Sequence, residues 1–530
     1  MQYRLFTFIT VLFFIIPGFS QDKSTDFNKE FRRIGLEESR VMEYASYICD
    51  VYGPRLTGSS KLDKAQDWAV KELKTMGLSN VQKEEWGKFG RGWQLDHFEM
   101  HALSPDYWPV LGYPKAWSPS TNGMISGDII YLQANSEEDL VQYKGKLKDK
   151  FVLLDTIRDV KEWFDAPAKR LTAEELLDLS NSPLPTPRPR RDWARTGGMN
   201  FNRALWKFLH EEKPLCILDR NYKGDSGTVF VTGAATESRG ETRAQDEGAV
   251  ILPQVTVAVE HYNRLLRLLQ KGVKTKISLN IKSKYEMPHG GTEHNVIAEI
   301  PGSDLKDEIV IFGAHFDSWH AGTGATDNGA GSAVMMEVAR IIKEYIKMTG
   351  EQPRRTLRLA LWSGEEQGLL GSVNYVRKHF AETEPGGWVP KSLKPEQSKV
   401  SAYYNMDNGT GKVRGIYTQG NPHVVPIFRE WLDPFKDLGA NTITLQNTGG
   451  TDHQAFDGVG IPGFQFIQEP IAYSAKTHHS NMDNWDHLVE DDLKQAATVI
   501  ASMVWQTAQR DEKLPRKPLN LENSEARGTR

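Results

Sequence analysis

Short apolar runs in the C-terminal half of the chain most constrain what it can fold into. The runs at 308–312, 356–362 and 400–404 are rich in β-branched or aromatic residues, and stretches with helical periodicity separate them. Runs of this length and composition are typical of buried strands, and their alternation with helices is typical of an α/β protein. We therefore predict an α/β fold with a mixed central sheet flanked by helices.

Acidic residues and a histidine begin where these predicted strands end. His315 and Asp317 follow the first run, Glu365 and Glu366 follow the second, and Asp407 follows the third. Ligands of open α/β sheets bind just beyond the carboxyl ends of the strands. Residues that are distant in sequence are therefore expected to converge on one crevice.

The residue types in this series, which also contains Asp327, His478 and His479, favour catalytic zinc. Imidazole and carboxylate groups suit zinc and similar divalent ions, whereas calcium takes only oxygen ligands and structural zinc is usually bound by cysteines. Two terminal histidines, two terminal carboxylates and one shared carboxylate would hold two ions roughly 3.5–4 Å apart, as in two-metal hydrolases. One carboxylate of the pair Glu365 and Glu366 then remains free to act as a general base.

Several segments resemble motifs of the co-catalytic zinc exopeptidases, the family that includes aminopeptidase Y and carboxypeptidase Q. They are G-A-H-F-D-S at 313–318, G-A-T-D-N-G-A-G at 324–331, W-S-G-E-E-Q-G at 362–368 and G-T-D-H at 450–453. The segment G-P-R-L-T-G-S at 53–59 resembles the family's opening motif. The resemblance thus covers nearly all of the chain after its first segment, and it implies a zinc exopeptidase fold.

The resemblance also implies five metal ligands for two Zn²⁺ ions, a pair for each ion and one bridge. These are His315 with Asp407, Glu366 with His479, and Asp327 between them. His478 remains the alternative to His479, although a histidine, a small hydroxyl residue and then an aspartate at 479–483 match the family pattern in register.

Two catalytic residues follow from the same resemblance. Glu365 would be the general base, and Asp317 would accept a hydrogen bond from the far ring nitrogen of His315 and so fix its tautomer. Tyr473 is a further candidate, as a hydrogen-bond donor to the tetrahedral oxyanion, with simple packing as the alternative.

Three functions are compared for such a site. The first is a zinc exopeptidase that acts on peptides or dipeptides, the second is an acyltransferase similar to glutaminyl cyclase, and the third is a non-catalytic relative with the same fold. The intact glutamate pair and the full ligand set favour the first. An aminopeptidase needs a carboxylate for the substrate ammonium, and a carboxypeptidase needs a cation for the substrate carboxylate. The order of residues does not identify either group, so both specificities stay open.

Composition and charge exclude some other classes of partner. The chain of 530 residues has 65 Lys and Arg against 69 Asp and Glu, a formal net charge of -4, and no basic patch that indicates nucleic acid. No membrane surface is expected either, and the family resemblance makes a homodimer plausible. The two cysteines, Cys49 and Cys216, are expected to be buried thiols, with a single bridge as the alternative.

The N-terminus predicts export. An apolar run at 5–16 follows Arg4 and precedes small residues, which is typical of a cleaved secretory signal, with cleavage after Ser20. A retained anchor is the alternative, but the run is shorter than the ~20 residues of a spanning helix. We therefore predict a secreted or periplasmic protein without a stable membrane anchor.

The distribution of predicted strands and helices divides the chain into regions. Short β-like runs at 128–132, 151–155, 228–231 and 251–255 indicate an insertion, which resembles the protease-associated domain of this family. The predicted division is a signal peptide at 1–20, an N-terminal catalytic part at 21–121, a mainly β insertion at 122–284, the metal-bearing catalytic part at 285–511 and a flexible tail at 512–530.

Overall fold

The computed structural model describes residues 26–186, 198–238, 240–383 and 390–519. Its strands, in chain order, are β1 (Ser79–Lys88), β2 (Gly92–Ser104), β3 (Trp108–Pro109), β4 (Gly112–Pro114), β5 (Ile125–Tyr131), β6 (Lys150–Leu153), β7 (Cys216–Asp219), β8 (Gln254–Val257), β9 (Lys276–Glu286), β10 (Thr292–Ile300), β11 (Leu305–His315), β12 (Arg355–Trp362), β13 (Ala381–Thr383), β14 (Pro390–Leu393), β15 (Val400–Asn405), β16 (Val413–Tyr417), β17 (Thr442–Thr444) and β18 (Gly463–Gln468).

The α-helices are α1 (Phe27–Arg32), α2 (Val41–Ser46), α3 (Ser60–Thr75), α4 (Glu137–Val141), α5 (Ala173–Asn181), α6 (Gly198–Glu212), α7 (Val259–Gln270), α8 (Ala330–Thr349), α9 (Leu370–His379), α10 (Val425–Leu432), α11 (His453–Asp457) and α12 (Glu490–Gln509).

One sheet carries the predicted polar residues. Its strand order is β1-β10-β12-β11-β15-β18-β16-β17, and the four central strands β12, β11, β15 and β18 are parallel. The strands at both margins include antiparallel pairs, so the sheet is mixed as predicted. The chain goes from β11 to β12 on one side and then to β15 on the other. This reversal of direction beside β11 is the position at which α/β sheets form a crevice.

Helices cover both faces of this sheet. Because side chains alternate along a strand, Val310 and Phe312 of β11 face a core shared with α8 and α12, whereas Ile311 faces a core shared with α9 and α11. Burial on both faces explains why β11 is an almost continuous apolar run. The predicted α/β class is therefore confirmed.

A second sheet lies between β1 and β10 in the chain. Its order is β3-β2-β9-β5-β6-β7-β8-β4, with β5, β6, β7 and β8 parallel and with α6 and α7 among the helices of the same region. Strands β5 to β8 fall within the predicted insertion at 122–284. Strands β2 to β4 precede that range and yet pair in the same sheet, because β2 forms a long antiparallel ladder with β9.

Two local predictions differ from the structure. The run at 228–231 was expected to be a strand, but it forms only an isolated bridge between Phe230 and Ser480 of the other region. The predicted flexible tail is ordered over 512–519, where Leu514 is 2% exposed and Lys517 pairs with Asp457 at 2.6 Å. Its polar composition misled because the charges have fixed partners, Glu308 of β11 for Lys513 and Asp457 of α11 for Lys517.

The predicted signal peptide at 1–20 and the end of the tail at 520–530 lie outside the described residues. None of the helices in the described ranges combines the length and the apolar content that crossing a membrane requires. Cys49 and Cys216 are both buried free thiols, as expected, with Cys216 on β7 of the second sheet.

Candidate metal centre

Three of the predicted residues lie together because three parallel strands end side by side. His315 is the last residue of β11, Glu365 follows β12 after a tight turn, and Asp407 follows β15. In the ladder, His315 pairs with Trp362 and Gly313 pairs with Asn405, so the three strand ends are in register. The crevice predicted from the sequence is therefore present at the carboxyl edge of the sheet.

His315, Asp327 and Asp407 form one half of the cluster. The Nε2 atom of His315 lies 3.3 Å from Oδ1 of Asp327 and 3.6 Å from Oδ1 of Asp407. His315 is fully buried, and Asp327 and Asp407 are almost so. The ligand atoms of these three residues lie within 4.8 Å of one another, which is close enough for one ion.

His479, Glu366 and the second oxygen of Asp327 form the other half. The Nε2 atom of His479 lies 3.0 Å from Oε2 of Glu366 and 3.2 Å from Oδ2 of Asp327. Asp327 therefore faces His315 with one carboxylate oxygen and His479 with the other. This is the geometry that a bridging carboxylate requires.

His478 stacks on His479 and lies farther from the cluster. The two rings are 3.7 Å apart, and Nε2 of His478 is 3.9 Å from Oδ2 of Asp327. Burial lowers the pKa of His478 to about 4. The shorter distances of His479 to both carboxylates favour it over His478 as the ligand.

Asp317 holds the turn that carries Glu365 and Glu366. Its carboxylate accepts hydrogen bonds from both backbone N–H groups of these residues at 3.2 Å and from the Thr57 hydroxyl at 2.8 Å. The far ring nitrogen of His315 was expected to donate to the carboxylate of Asp317, but it donates to the backbone carbonyl of that residue instead. The Nδ1 atom lies 3.1 Å from the Asp317 carbonyl oxygen and 3.7 Å from the carboxylate, which is occupied by the three other donors.

A carbonyl oxygen only accepts hydrogen bonds, so Nδ1 of His315 carries the hydrogen and Nε2 offers its lone pair to the cluster. Asp317 thus orients His315 through its backbone and the glutamate turn through its side chain.

Asp483 holds Asp327, a role that the sequence did not assign to it. Its carboxylate is buried and accepts hydrogen bonds from the N–H groups of Thr326 at 2.6 Å and Asp327 at 3.1 Å. Burial raises the pKa of Asp483 to about 7. The sequence used its place four residues after His479 only to set the register of that histidine.

Arg55 organises the loop between His315 and Asp327 and was also missed. It is fully buried, and its guanidinium donates to backbone carbonyls that include those of Phe316 at 2.7 Å, Thr323 at 2.8 Å and Gly324 at 2.9 Å. Gly324 has a φ of +66°, and a Cβ atom there would overlap Ser318. The opening motif at 53–59, whose Thr57 also contacts Asp317, therefore supports the cluster from a distant part of the chain.

Replacement of Arg55 by methionine should lower the free energy of unfolding by roughly 3 kcal/mol or more, because several buried carbonyls lose their donor. Arg55→Lys, which keeps the charge but has fewer donors, should lose less. Denaturant unfolding of the two variants measures this order. Equal stability of Arg55→Met and the unchanged protein would contradict the assigned role.

The cluster fits a cation better than it fits an ordinary hydrogen-bond network. Nε2 of His315, Oδ2 of Asp327 and Oε1 of Glu366 are buried and have no hydrogen-bond partner within the described part of the chain. Several carboxylates are also buried within a few ångströms of each other, and buried charges are normally paired or bound to metals. Imidazole nitrogens with carboxylate oxygens form a donor set that suits zinc.

Glu365 lies beside the cluster without joining either half. Its Oε2 atom is 4.0 Å from Nε2 of His315, and the side chain is 9% exposed. Burial raises the pKa of Glu365 well above its ordinary value. Tyr473 lies in the loop that leads to the two histidines, with its ring 4.9 Å from the ring of His478, and burial raises its pKa.

Comparison with known proteins identifies relatives of this chain. The model of peptidase family M28 matches residues 295–504. Carboxypeptidase Q of Mus musculus is 30% identical over 489 residues, which cover 91% of this chain and 88% of that protein.

Two solved structures share the fold. A peptidase M28 precursor from Shewanella amazonensis superposes with a TM-score of 0.64 at 24% identity, over 93% of this chain and 98% of that one. The zinc aminopeptidase BSAP from Bacillus subtilis has a TM-score of 0.54 at 19% identity, over 89% and 95%. On the strength of the family match and of the relative that is similar over most of its length, the chain belongs to peptidase family M28 and is a metallo-exopeptidase.

Proposed function

We propose that this chain is an exported exopeptidase that uses two Zn²⁺ ions and the general base Glu365 to hydrolyse terminal bonds of peptides or dipeptides. One ion would be held by His315 and Asp407, the other by Glu366 and His479, with Asp327 as the bridge. The observation that carries the proposal is the position of Asp327, whose two oxygens face a histidine on either side at 3.3 and 3.2 Å.

The residues of the chain divide the chemistry between them. Bound zinc supplies Lewis acidity, which acidifies water and polarises the scissile carbonyl. Glu365 accepts a proton from the attacking water at its carboxylate and transfers it to the leaving amine nitrogen. Tyr473 donates a hydrogen bond to the oxygen on which negative charge develops.

An aromatic side chain borders the site. Trp319 lies beside His479 with ring centroids 5.8 Å apart, which gives the crevice an apolar wall. We propose that the second sheet region, predicted as a protease-associated insertion at 122–284, covers the crevice and selects substrate. Cleavage of residues 1–20 would release the protein outside the cell or into the periplasm, where a homodimer is the proposed assembly.

Hydrolysis of a small substrate panel tests this function. The purified mature protein with zinc is offered free dipeptides, amino-blocked dipeptides and aminoacyl anilides, before and after removal of metal by a chelator. We expect cleavage that chelation abolishes and zinc restores. Anilide cleavage indicates an aminopeptidase, cleavage of free dipeptides alone a dipeptidase, and cleavage of blocked peptides a carboxypeptidase. Cyclisation of N-terminal glutamine without any hydrolysis would contradict the proposal in favour of an acyltransferase.

A further inference from the structure

A segment of the second sheet region lies directly against the histidine loop of the metal centre. The N–H of Val231 donates to the carbonyl of His479 at 2.8 Å, and the N–H of Asn481 donates to the carbonyl of Val229 at 3.1 Å. The side chain of Asn481 accepts a further hydrogen bond from the N–H of Val229 at 2.7 Å. Residues shortly before this pairing are therefore held at a fixed position beside the site.

Lys223 is the cation in that held segment. Its ammonium group lies 4.1 Å from the centre of the Phe230 ring and donates to the carbonyl of Ser474, in the same loop as His479, at 3.1 Å. No carboxylate of the described residues lies within ion-pair distance of it. An ammonium group has three donors, so this contact leaves donors free for a ligand.

Two arginines of the site region are already committed to structural contacts. Arg55 is fully buried and bound to backbone carbonyls. Arg158 donates to the carbonyl of Gly224, next to Lys223, and thereby holds the same turn. Lys223, in contrast, is partly exposed and makes one hydrogen bond, to a backbone carbonyl, so it keeps donors to spare.

We propose that Lys223 binds the free C-terminal carboxylate of the substrate and makes this chain selective for dipeptides and other short peptides with a free carboxyl end. In a dipeptide the leaving residue itself carries the α-carboxylate, only a few bonds from the scissile carbonyl. An ammonium group held against the loop that carries His479 is the complementary partner for that carboxylate. The inference rests on the proposed peptidase function and adds the determinant of its substrate class.

Replacement of Lys223 by methionine, which keeps most of the length of the side chain and removes its charge, tests the inference. The unchanged protein should prefer a free dipeptide such as alanyl-alanine over its C-terminal amide by roughly 10- to 100-fold in kcat/KM, the effect of one hydrogen bond to a charged group. Lys223→Met should remove this preference by lowering kcat/KM for the free dipeptide alone. Lys223→Arg should retain most of the preference. Lys207 is an exposed lysine on α6 of the same region, and Lys207→Met should change kcat/KM for neither substrate.

Binding without turnover separates this inference from the proposed function. In the Glu365→Gln background with zinc, calorimetry should show that Lys223→Met weakens the binding of alanyl-alanine by the same factor. The binding of its amide should be unchanged. Equal losses for the free and amidated dipeptide in both assays would overturn the role of Lys223 and indicate a structural one. Failure of the unchanged protein to cut any substrate, with the carboxylate-dependent binding intact, would overturn the proposed hydrolysis and keep the role of Lys223.

Discussion

Glu365→Gln should reduce kcat by roughly 10²- to 10⁴-fold while both zinc ions stay bound, because glutamine cannot accept the proton of the attacking water. The substitution keeps the size of the side chain, and Glu365 belongs to neither ligand group of the cluster. Its backbone N–H, which Asp317 binds, is also unchanged. Steady-state kinetics together with metal analysis by mass spectrometry measure both parts of the expectation.

The matched control is Glu365→Asp, which keeps a carboxylate but withdraws it by one methylene. We expect the activity of Glu365→Asp to lie between that of Glu365→Gln and that of the unchanged protein, with the same metal content. A Glu365→Gln enzyme that kept most of its kcat would refute the assignment of the base. Loss of zinc on this substitution would instead make Glu365 a ligand.

Asp327→Ala should abolish hydrolysis and release both metal ions. Asp327 is the residue whose oxygens face His315 and His479 together, so its removal takes one ligand from each half of the cluster. Each ion would then keep only two protein ligands, His315 with Asp407 for one and Glu366 with His479 for the other. Metal content after dialysis, measured beside activity at saturating zinc, gives the result.

Asp407→Ala is the comparison for the bridge, because Asp407 contacts only the half that contains His315. We expect this variant to bind one ion more weakly and to retain the other beside Glu366 and His479. Retention of a full metal complement by Asp327→Ala would show that the carboxylate does not bridge. Circular dichroism of both variants checks that the fold is kept.

Much of the cluster was predictable because it follows strand ends. The runs that became β11, β12 and β15 are recognisable from their apolar and β-branched residues, and the ends of parallel strands must meet at one edge. Asp327 and His479 are different, since they lie in irregular loops that no periodicity marks. Their assignment came from motif resemblance, and the structure brings both into the cluster.

The supporting contacts were not predictable from local patterns. Arg55 bonds to carbonyls more than 260 residues away in sequence, and a buried arginine with such partners leaves no local signal. The bridge between Phe230 and Ser480 likewise joins two regions, so an isolated strand-like run at 228–231 was mistaken for part of a sheet. The position of Lys223 depends on that pairing and was invisible for the same reason.

An anomalous difference map at the zinc edge, from crystals of the zinc-loaded protein, tests the central claim most directly. The account predicts two peaks on either side of Asp327, one beside His315 and Asp407 and the other beside Glu366 and His479. A single peak, or a peak bound by His478 in place of His479, would contradict the proposed two-zinc centre.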